Sequence, residues 1–230
     1  MITENIKKIH ENIEASCIKA NRDPSEVELI AISKTKPISD IKLAYEAGER
    51  SFGENKVQDF CTKYPDLPED IKWHLVGHLQ RNKVKKIIGH VALIHSVDNY
   101  RLAEEINIQS KKAEIVTPIL IEVNIAGEES KSGISINEAE EIIREIAPLD
   151  GIQIKGLMTV APNLPNSEDT RPYFNKMHQL FIDIKNENID NVLMDTLSMG
   201  MTNDYKIAIE EGSTMIRVGT AIFGSRNYNI

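Results

Sequence analysis

Glu28-Leu29-Ile30-Ala31-Ile32-Ser33-Lys34 is a short apolar run, rich in β-formers, that ends on a lysine and is followed by a polar stretch of helical character. Runs of this kind alternating with helices are the building blocks of a parallel sheet. Seven more follow: Arg50 to Gly53, Trp73 to Gly77, Leu93 to Val97, Pro118 to Ile125, Ile154 to Val160, Met194 to Met199 and Met215 to Gly219. Eight strands with intervening helices predict an α/β fold, a single (β/α)8 TIM barrel spanning residues 1–230. An open doubly wound sheet is the alternative, and the short, weakly apolar run at Arg50 is where the strand count is least supported.

Upstream of the first run, Ile2, Ile6, Ile9, Ile13 and Cys17 recur at helical spacing, which predicts an additional N-terminal amphipathic helix ending before Asp23 and Pro24. Downstream, Ser39 to Gly48 and Asn203 to Gly212 each read as a helix with a polar cap at the start and a glycine past the end. Asp98 is expected to cap the helix Tyr100 to Lys112, and Asn137 the helix Glu138 to Ala147. A further helix, from about Pro172 to Asn186, opens on a proline, which the first turn tolerates because its missing N–H has no partner there.

With 41% hydrophobic and 27% charged residues the chain can build a sizeable core. Its 35 acidic against 27 basic residues give a net charge of -8, which argues against nucleic acid as a partner. The basic stretch Arg81, Lys83, Lys85 and Lys86 lacks interleaved aromatics and reads as a solvated helix face. No apolar run is long enough to span a membrane and no signal-peptide core is visible, so a cytoplasmic protein is expected. Cys17 and Cys61 have neither CxxC spacing nor an oxidising context and are expected to be free thiols; no metal site is indicated. The absence of an interface stripe favours a monomer.

Ligands of such barrels bind at the C-terminal ends of the strands. Lys34 stands there, on the same side of its strand as Ile30 and Ile32. Loss of hydration at that place lowers a lysine's pKa and supplies the neutral amine that carbonyl condensation requires; a lysine snorkelling to the surface is the other reading. The last strand leads into Gly219 and Thr220, where barrels of this class often hold a phosphate on backbone N–H groups. Ser198, one strand earlier, is a further candidate donor to the same anion, and ordinary glycine turns are the competing reading. Arg217 lies within an apolar run and needs a carboxylate or a ligand acceptor as partner. Asn55 follows the strand next to Lys34 and can reach the substituents of a ring held there. Trp73 and His74 read as packing residues; Lys131, in the polar segment Ser130-Lys131-Ser132-Gly133, reads equally as an anion contact or a solvated loop lysine.

At these residues the sequence resembles the pyridoxal 5'-phosphate (PLP) homeostasis protein family, which is related to the N-terminal barrel of alanine racemase. The resemblance runs end to end through Ala31-Ile32-Ser33-Lys34-Thr35-Lys36-Pro37, Phe52-Gly53-Glu54-Asn55, Trp73-His74-Leu75-Val76-Gly77, Ser130-Lys131-Ser132-Gly133-Ile134, Gly156-Leu157-Met158, Leu197-Ser198-Met199-Gly200-Met201 and Gly212 to Gly224. It implies a PLP carrier in vitamin B6 homeostasis, with PLP as a Schiff base on Lys34 and Lys36 as a second basic residue near the mouth. It further implies a phosphate held by Ser198, Gly219 and Thr220, with Arg217 facing the pyridine nitrogen. PLP-dependent apoenzymes are the implied recipients. His78 departs from the family, which usually has proline there, and puts only a loop shape in doubt. The racemase relatives carry a tyrosine on a C-terminal β domain with no counterpart in this sequence, and an arginine at the ring nitrogen weakens the cofactor as an electron sink. Binding without fast turnover is therefore expected; a reduced PLP-dependent racemase, and a barrel whose lysine condenses with a sugar, are the alternatives.

Overall fold

The structure is a computed structural model that describes residues 1–128 and 131–224. Helix α1 (Ile2–Lys19) buries Ile6, Ile9, Ile13 and Cys17, the stripe its spacing predicts. Asp23 then caps a single 3-10 turn, its carboxylate accepting from the Ser25 N–H at 2.8 Å. The chain continues through β1 (Glu28–Ile32), α2 (Ile38–Glu46), β2 (Ser51–Glu54), α3 (Val57–Lys63), β3 (Lys72–Leu75), β4 (Leu93–Val97) and α4 (Tyr100–Lys112). It ends with β5 (Thr117–Asn124), β6 (Ile134–Ser135), α5 (Ala139–Ile146), β7 (Ile152–Met158), α6 (Arg171–Asn186), β8 (Val192–Ser198), α7 (Tyr205–Glu210), β9 (Met215–Val218) and α8 (Thr220–Phe223).

All pairings are parallel, in the order β4-β3-β2-β1-β9-β8-β7-β5, and a β4–β5 pairing closes the ring; β6 is a two-residue strand hung on the end of β5. The result is the eight-stranded closed barrel that the pattern of runs predicts. Pairing from β9 through β1, β2 and β3 to β4 runs without a register shift, whereas β4–β5, β5–β7 and β7–β8 each contain one.

Strand alternation sorts the apolar residues into two populations. Leu29, Ala31 and Phe52 face outward into the layer between barrel and helices, while Ile30, Ile32, Leu93, Leu120, Met158 and Met215 form a separate cluster inside the barrel. A side chain on Gly53 would meet the Cδ1 of Ile32 at 2.5 Å, so this glycine gives the interior isoleucines their space.

Several helix starts differ from the sequence expectation by one or two residues. Asn99, not Asp98, caps α4: its side-chain oxygen accepts from the Leu102 N–H at 2.9 Å, the reach needed to bond the N3 position. Helix α2 begins at Ile38 behind Pro37, so Ser39 lies within it; α7 has Asp204 rather than Asn203 at its N-cap; α5 starts at Ala139 behind Glu138, so Asn137 caps nothing. Arg171, not Pro172, opens α6, with the proline in the first turn as expected. Gly48 and Gly212 do terminate their helices with positive φ values of 107° and 98°. The basic stretch lies on a 3-10 helix, Arg81–Lys86, with Arg81, Lys85 and Lys86 exposed. Helix α3 and β6 have no counterpart in the sequence reading.

At Gly156 a Cβ would lie 1.8 Å from the Thr196 carbonyl oxygen. Gly156→Ala is therefore expected to cost about 3 kcal/mol or more in urea or thermal unfolding, because the β7–β8 seam must part to admit a methyl group. Gly89→Ala, at φ 82° with open space around it, is expected to cost only about 1–2 kcal/mol. Equal costs would show that the seam yields without strain.

Candidate functional site

A cleft of about 430 Å³ opens at the C-terminal end of the barrel, within the roughly 300–1,000 Å³ of small-molecule sites. Five of the expected residues line it: Lys34 after β1, Asn55 after β2, Arg217 in β9, and Gly219 and Thr220 at the start of α8. Val76, Val160, Met201, Thr202 and Asp204 complete much of the wall.

The turn that presents Lys34 is closed by the Lys36 N–H donating to the Ser33 carbonyl at 3.0 Å, and it places Thr35 at φ 61°, in the left-handed region. Lys36 does not share the cleft: its ammonium donates to the carbonyls of Phe223 and Gly224 at 2.9 and 3.2 Å, at the C-terminal end of α8. Asn55 is packed by its neighbour Gly77, where a Cβ would lie 2.4 Å from the Asn55 carbonyl oxygen. Gly219 fills two roles. It sits at the N-cap of α8 beside the cleft, and a Cβ there would crowd the Cβ and carbonyl of Ile32 at 3.3 Å, so the residue also lets β9 approach β1. The first amides of α8 lack intrahelical acceptors, as in any helix, and stand where an anion can take them.

Ser198, expected beside Gly219 and Thr220, is fully buried in the barrel interior and does not line the cleft. Its hydroxyl accepts from a terminal nitrogen of Arg217 at 2.6 Å and lies 3.0 Å from Nδ1 of His95. Ser198 is the last residue of β8 and its side chain faces its neighbours across the barrel, whereas Thr202, beyond the turn at Gly200, lines the cleft. A hydroxyl just past a glycine at a strand end is the signal that points to Thr202 in the sequence.

Arg217 is the electrostatic centre of the interior. It donates to Ser198 and, at 2.8 Å, to the Thr159 carbonyl. Burial lowers its pKa to about 10, opposed by the nearby charges of Glu122 and Asp204, so it stays protonated at neutral pH. His95 continues the network to His74, whose Nδ1 lies 3.0 Å from Nε2 of His95. The Ser198 oxygen keeps a second lone pair beside the one that Arg217 uses, so which ring nitrogen donates along Ser198, His95 and His74 follows from the tautomer of each ring. At the end of this network, Nε2 of His74 is a buried atom with no hydrogen-bond partner. Both rings are held neutral: burial takes His74 down to about 4, and burial, His74 and Arg217 push His95 well below its usual range. His74 is thus a buried residue that also belongs to a polar network, while Trp73 packs edge-on against Phe60 as a core residue. Glu122 is pushed up to about 7 by burial and by Asp98. It lines a side pocket of about 150 Å³ with Asn124, Lys131 and Ser132. Lys131 there pairs with Glu128 at 3.0 Å and donates to the Ala161 carbonyl at 3.3 Å. Ser130 lies outside the described residues. Cys17 and Cys61 are free thiols, and no metal-binding cluster is found among the described residues.

The folded pKa of His74 is depressed, so its contribution to stability is present above pH 6.5 and lost as pH falls towards about 4. Thermal midpoints measured across that window are expected to fall less steeply for His74→Gln than for the wild type. Parallel curves would mean that His74 is protonated in the folded protein.

Residues 5–227 match the family model described as alanine racemase, N-terminal domain. The chain is 42% identical over 226 residues to the pyridoxal phosphate homeostasis protein of Aquifex aeolicus, covering 98% of both chains. It is 38% identical to that of Escherichia coli K12 over 232 residues, covering 99% of this chain and 98% of the relative. Among solved structures, PipY of Synechococcus elongatus with PLP bound superposes with a TM-score of 0.83 at 32% identity, covering 97% of this chain and 100% of that one. An alanine racemase from Clostridium difficile superposes with a TM-score of 0.74 over 98% of this chain and 58% of its own, at 13% identity, a likeness of fold alone.

Proposed function

Because the chain belongs to the alanine racemase N-terminal domain family, and within it to the pyridoxal phosphate homeostasis proteins, we propose that it binds PLP in the cleft, covalently through a Schiff base on Lys34, and buffers or supplies the cofactor in the cell. The observation that carries this reading is the meeting of Lys34, Asn55, Arg217, Gly219 and Thr220 in one cleft. These residues suit an aldehyde, an aromatic ring with a basic nitrogen, and a phosphate. Lys34 would hold the aldehyde carbon through its amine, with the carbonyl oxygen lost as water. Asn55 borders the ring. The Gly219–Thr220 amides, with the hydroxyls of Thr220 and Thr202, receive the phosphate; Thr202 takes the part that sequence reading gave to Ser198.

Bound PLP supplies an electron sink whose strength depends on protonation of the ring nitrogen. Arg217 is protonated and can only donate, so it favours the unprotonated nitrogen. The His95–Ser198 pair holds it in that orientation. The site thereby favours retention of the cofactor over carbanion chemistry, which supports a carrier rather than an amino-acid racemase. Transfer to PLP-dependent apoenzymes, by a monomer in the cytoplasm, belongs to the same proposal.

Purified protein is expected to take up one PLP, fixed to Lys34 after borohydride reduction and located by peptide mass spectrometry. Lys34→Ala is expected to lose the adduct while unfolding at a similar temperature; an adduct on another lysine refutes the assignment. Thr202→Val is expected to weaken PLP roughly tenfold, as loss of one donor to a charged acceptor does, and pyridoxal hardly at all. Equal losses would remove Thr202 from the phosphate site.

A further inference from the structure

Lys34 and Asn55 face the cleft, and the residue preceding each points the other way, into the layer between barrel and helices. Ser33 and Glu54 meet there, and Lys63 from the last turn of α3 joins them. The Lys63 ammonium donates to the Ser33 carbonyl at 2.9 Å and to Oε1 of Glu54 at 2.7 Å, and the Ser33 hydroxyl donates to the same oxygen at 2.6 Å. All three residues are buried, at 0%, 1% and 8% exposure for Ser33, Glu54 and Lys63. Burial raises the pKa of Glu54, with Lys63 and Ser33 opposing, and its second oxygen has no partner.

A buried ion pair with an unsatisfied oxygen adds little net stability, so the fold by itself gives no reason for it. The turn beside it does. The Ser33 carbonyl already accepts from the Lys36 N–H, closing a four-residue turn whose third residue has a positive φ of 61°. Glycine is the usual occupant of that position; here it is Thr35, a β-branched residue for which the left-handed region is unfavourable. Such a conformation persists only where surrounding contacts fix it.

We propose that Lys63 is a positioning residue: bridging the Ser33 carbonyl and the Glu54 carboxylate behind the barrel wall, it clamps the strained 33–36 turn and so aims Lys34 into the cleft beside Asn55. The inference rests on the reading of Lys34 as the PLP-binding lysine. Its structural half, the clamped turn, stands apart from that reading and is tested separately.

The test compares the wild type, the charge-free pair Glu54→Gln/Lys63→Met, Thr35→Gly, and the triple variant. Three quantities are read: the rate of PLP attachment to Lys34 with borohydride trapping, hydrogen exchange of the Lys36 amide in the PLP-free protein, and the thermal midpoint. The charge-free pair is expected to slow attachment about ten- to a hundredfold, the scale of a displaced reacting group, and to speed Lys36 exchange. Adding Thr35→Gly is expected to restore most of both, because glycine adopts the turn without strain. An ion pair that served packing alone would not be rescued by a glycine elsewhere. Wild-type attachment and exchange in the charge-free pair, or failure of glycine to rescue it, overturns the clamp. If the wild type itself takes up no PLP at Lys34, the functional reading fails while Lys36 exchange still decides the clamp. Should the charge-free pair not fold, Thr35→Gly alone decides: a raised midpoint with Lys36 protected as in the wild type is expected, and an unchanged or lowered midpoint overturns it.

Discussion

A guanidinium buried inside a closed barrel governs the rest of the interior. Arg217 is 5% exposed among isoleucine, leucine and methionine side chains, where an uncompensated charge would cost several kcal/mol. Its surroundings follow from that constraint. Ser198 and the Thr159 carbonyl accept its protons, and Glu122 and Asp204 supply opposite charge. His95 takes up no second proton there, held neutral by burial first and then by His74 and Arg217, and burial holds His74 neutral as well. The network runs from β9 to β8 and across to β4 and β3, strands on opposite sides of the ring, which only an eight-stranded barrel filled by its own side chains brings within reach.

The barrel was legible in the sequence because its signal is local. Each strand is an apolar run, and alternation within β1 sorts Ile30, Ile32 and Lys34 from Leu29, Ala31 and Ser33. Helix starts were less legible because Asp98 and Asn99 both have capping side chains, and one residue of backbone geometry decides between them. The candidate site divides the same way. Lys34, Asn55, Gly219 and Thr220 sit just past strand ends, where position alone implies the mouth of the barrel. Ser198 was assigned to the anion by its nearness to Gly200, but its side chain belongs to the interior network, and Thr202 beyond the turn reaches the cleft instead. His95 and Lys63 left no trace in spacing, because each acts through partners that the fold, and not the sequence, brings near.

The wall of the barrel is one residue thick, so adjacent residues in β1 and β2 serve different environments. Lys34 and Asn55 meet the ligand side; Ser33 and Glu54 meet α3. Polar groups on both faces of the same two strand ends leave little apolar packing to define the backbone there. Hydrogen bonds define it instead, and they are directional where apolar contacts are not.

The register shifts are unevenly distributed around the ring. Lys34, Asn55, Arg217 and Gly219 all belong to the arc from β9 to β2, where pairing runs without a break, while the shifts gather between β4 and β8. A bulged seam has absorbed an extra residue and re-aims the side chains beyond it, and the far arc still delivers Val160 and Thr202 to the cleft. The two arcs therefore reach the cleft by different means, the near one through unbroken pairing and the far one through strands whose direction a bulge has changed.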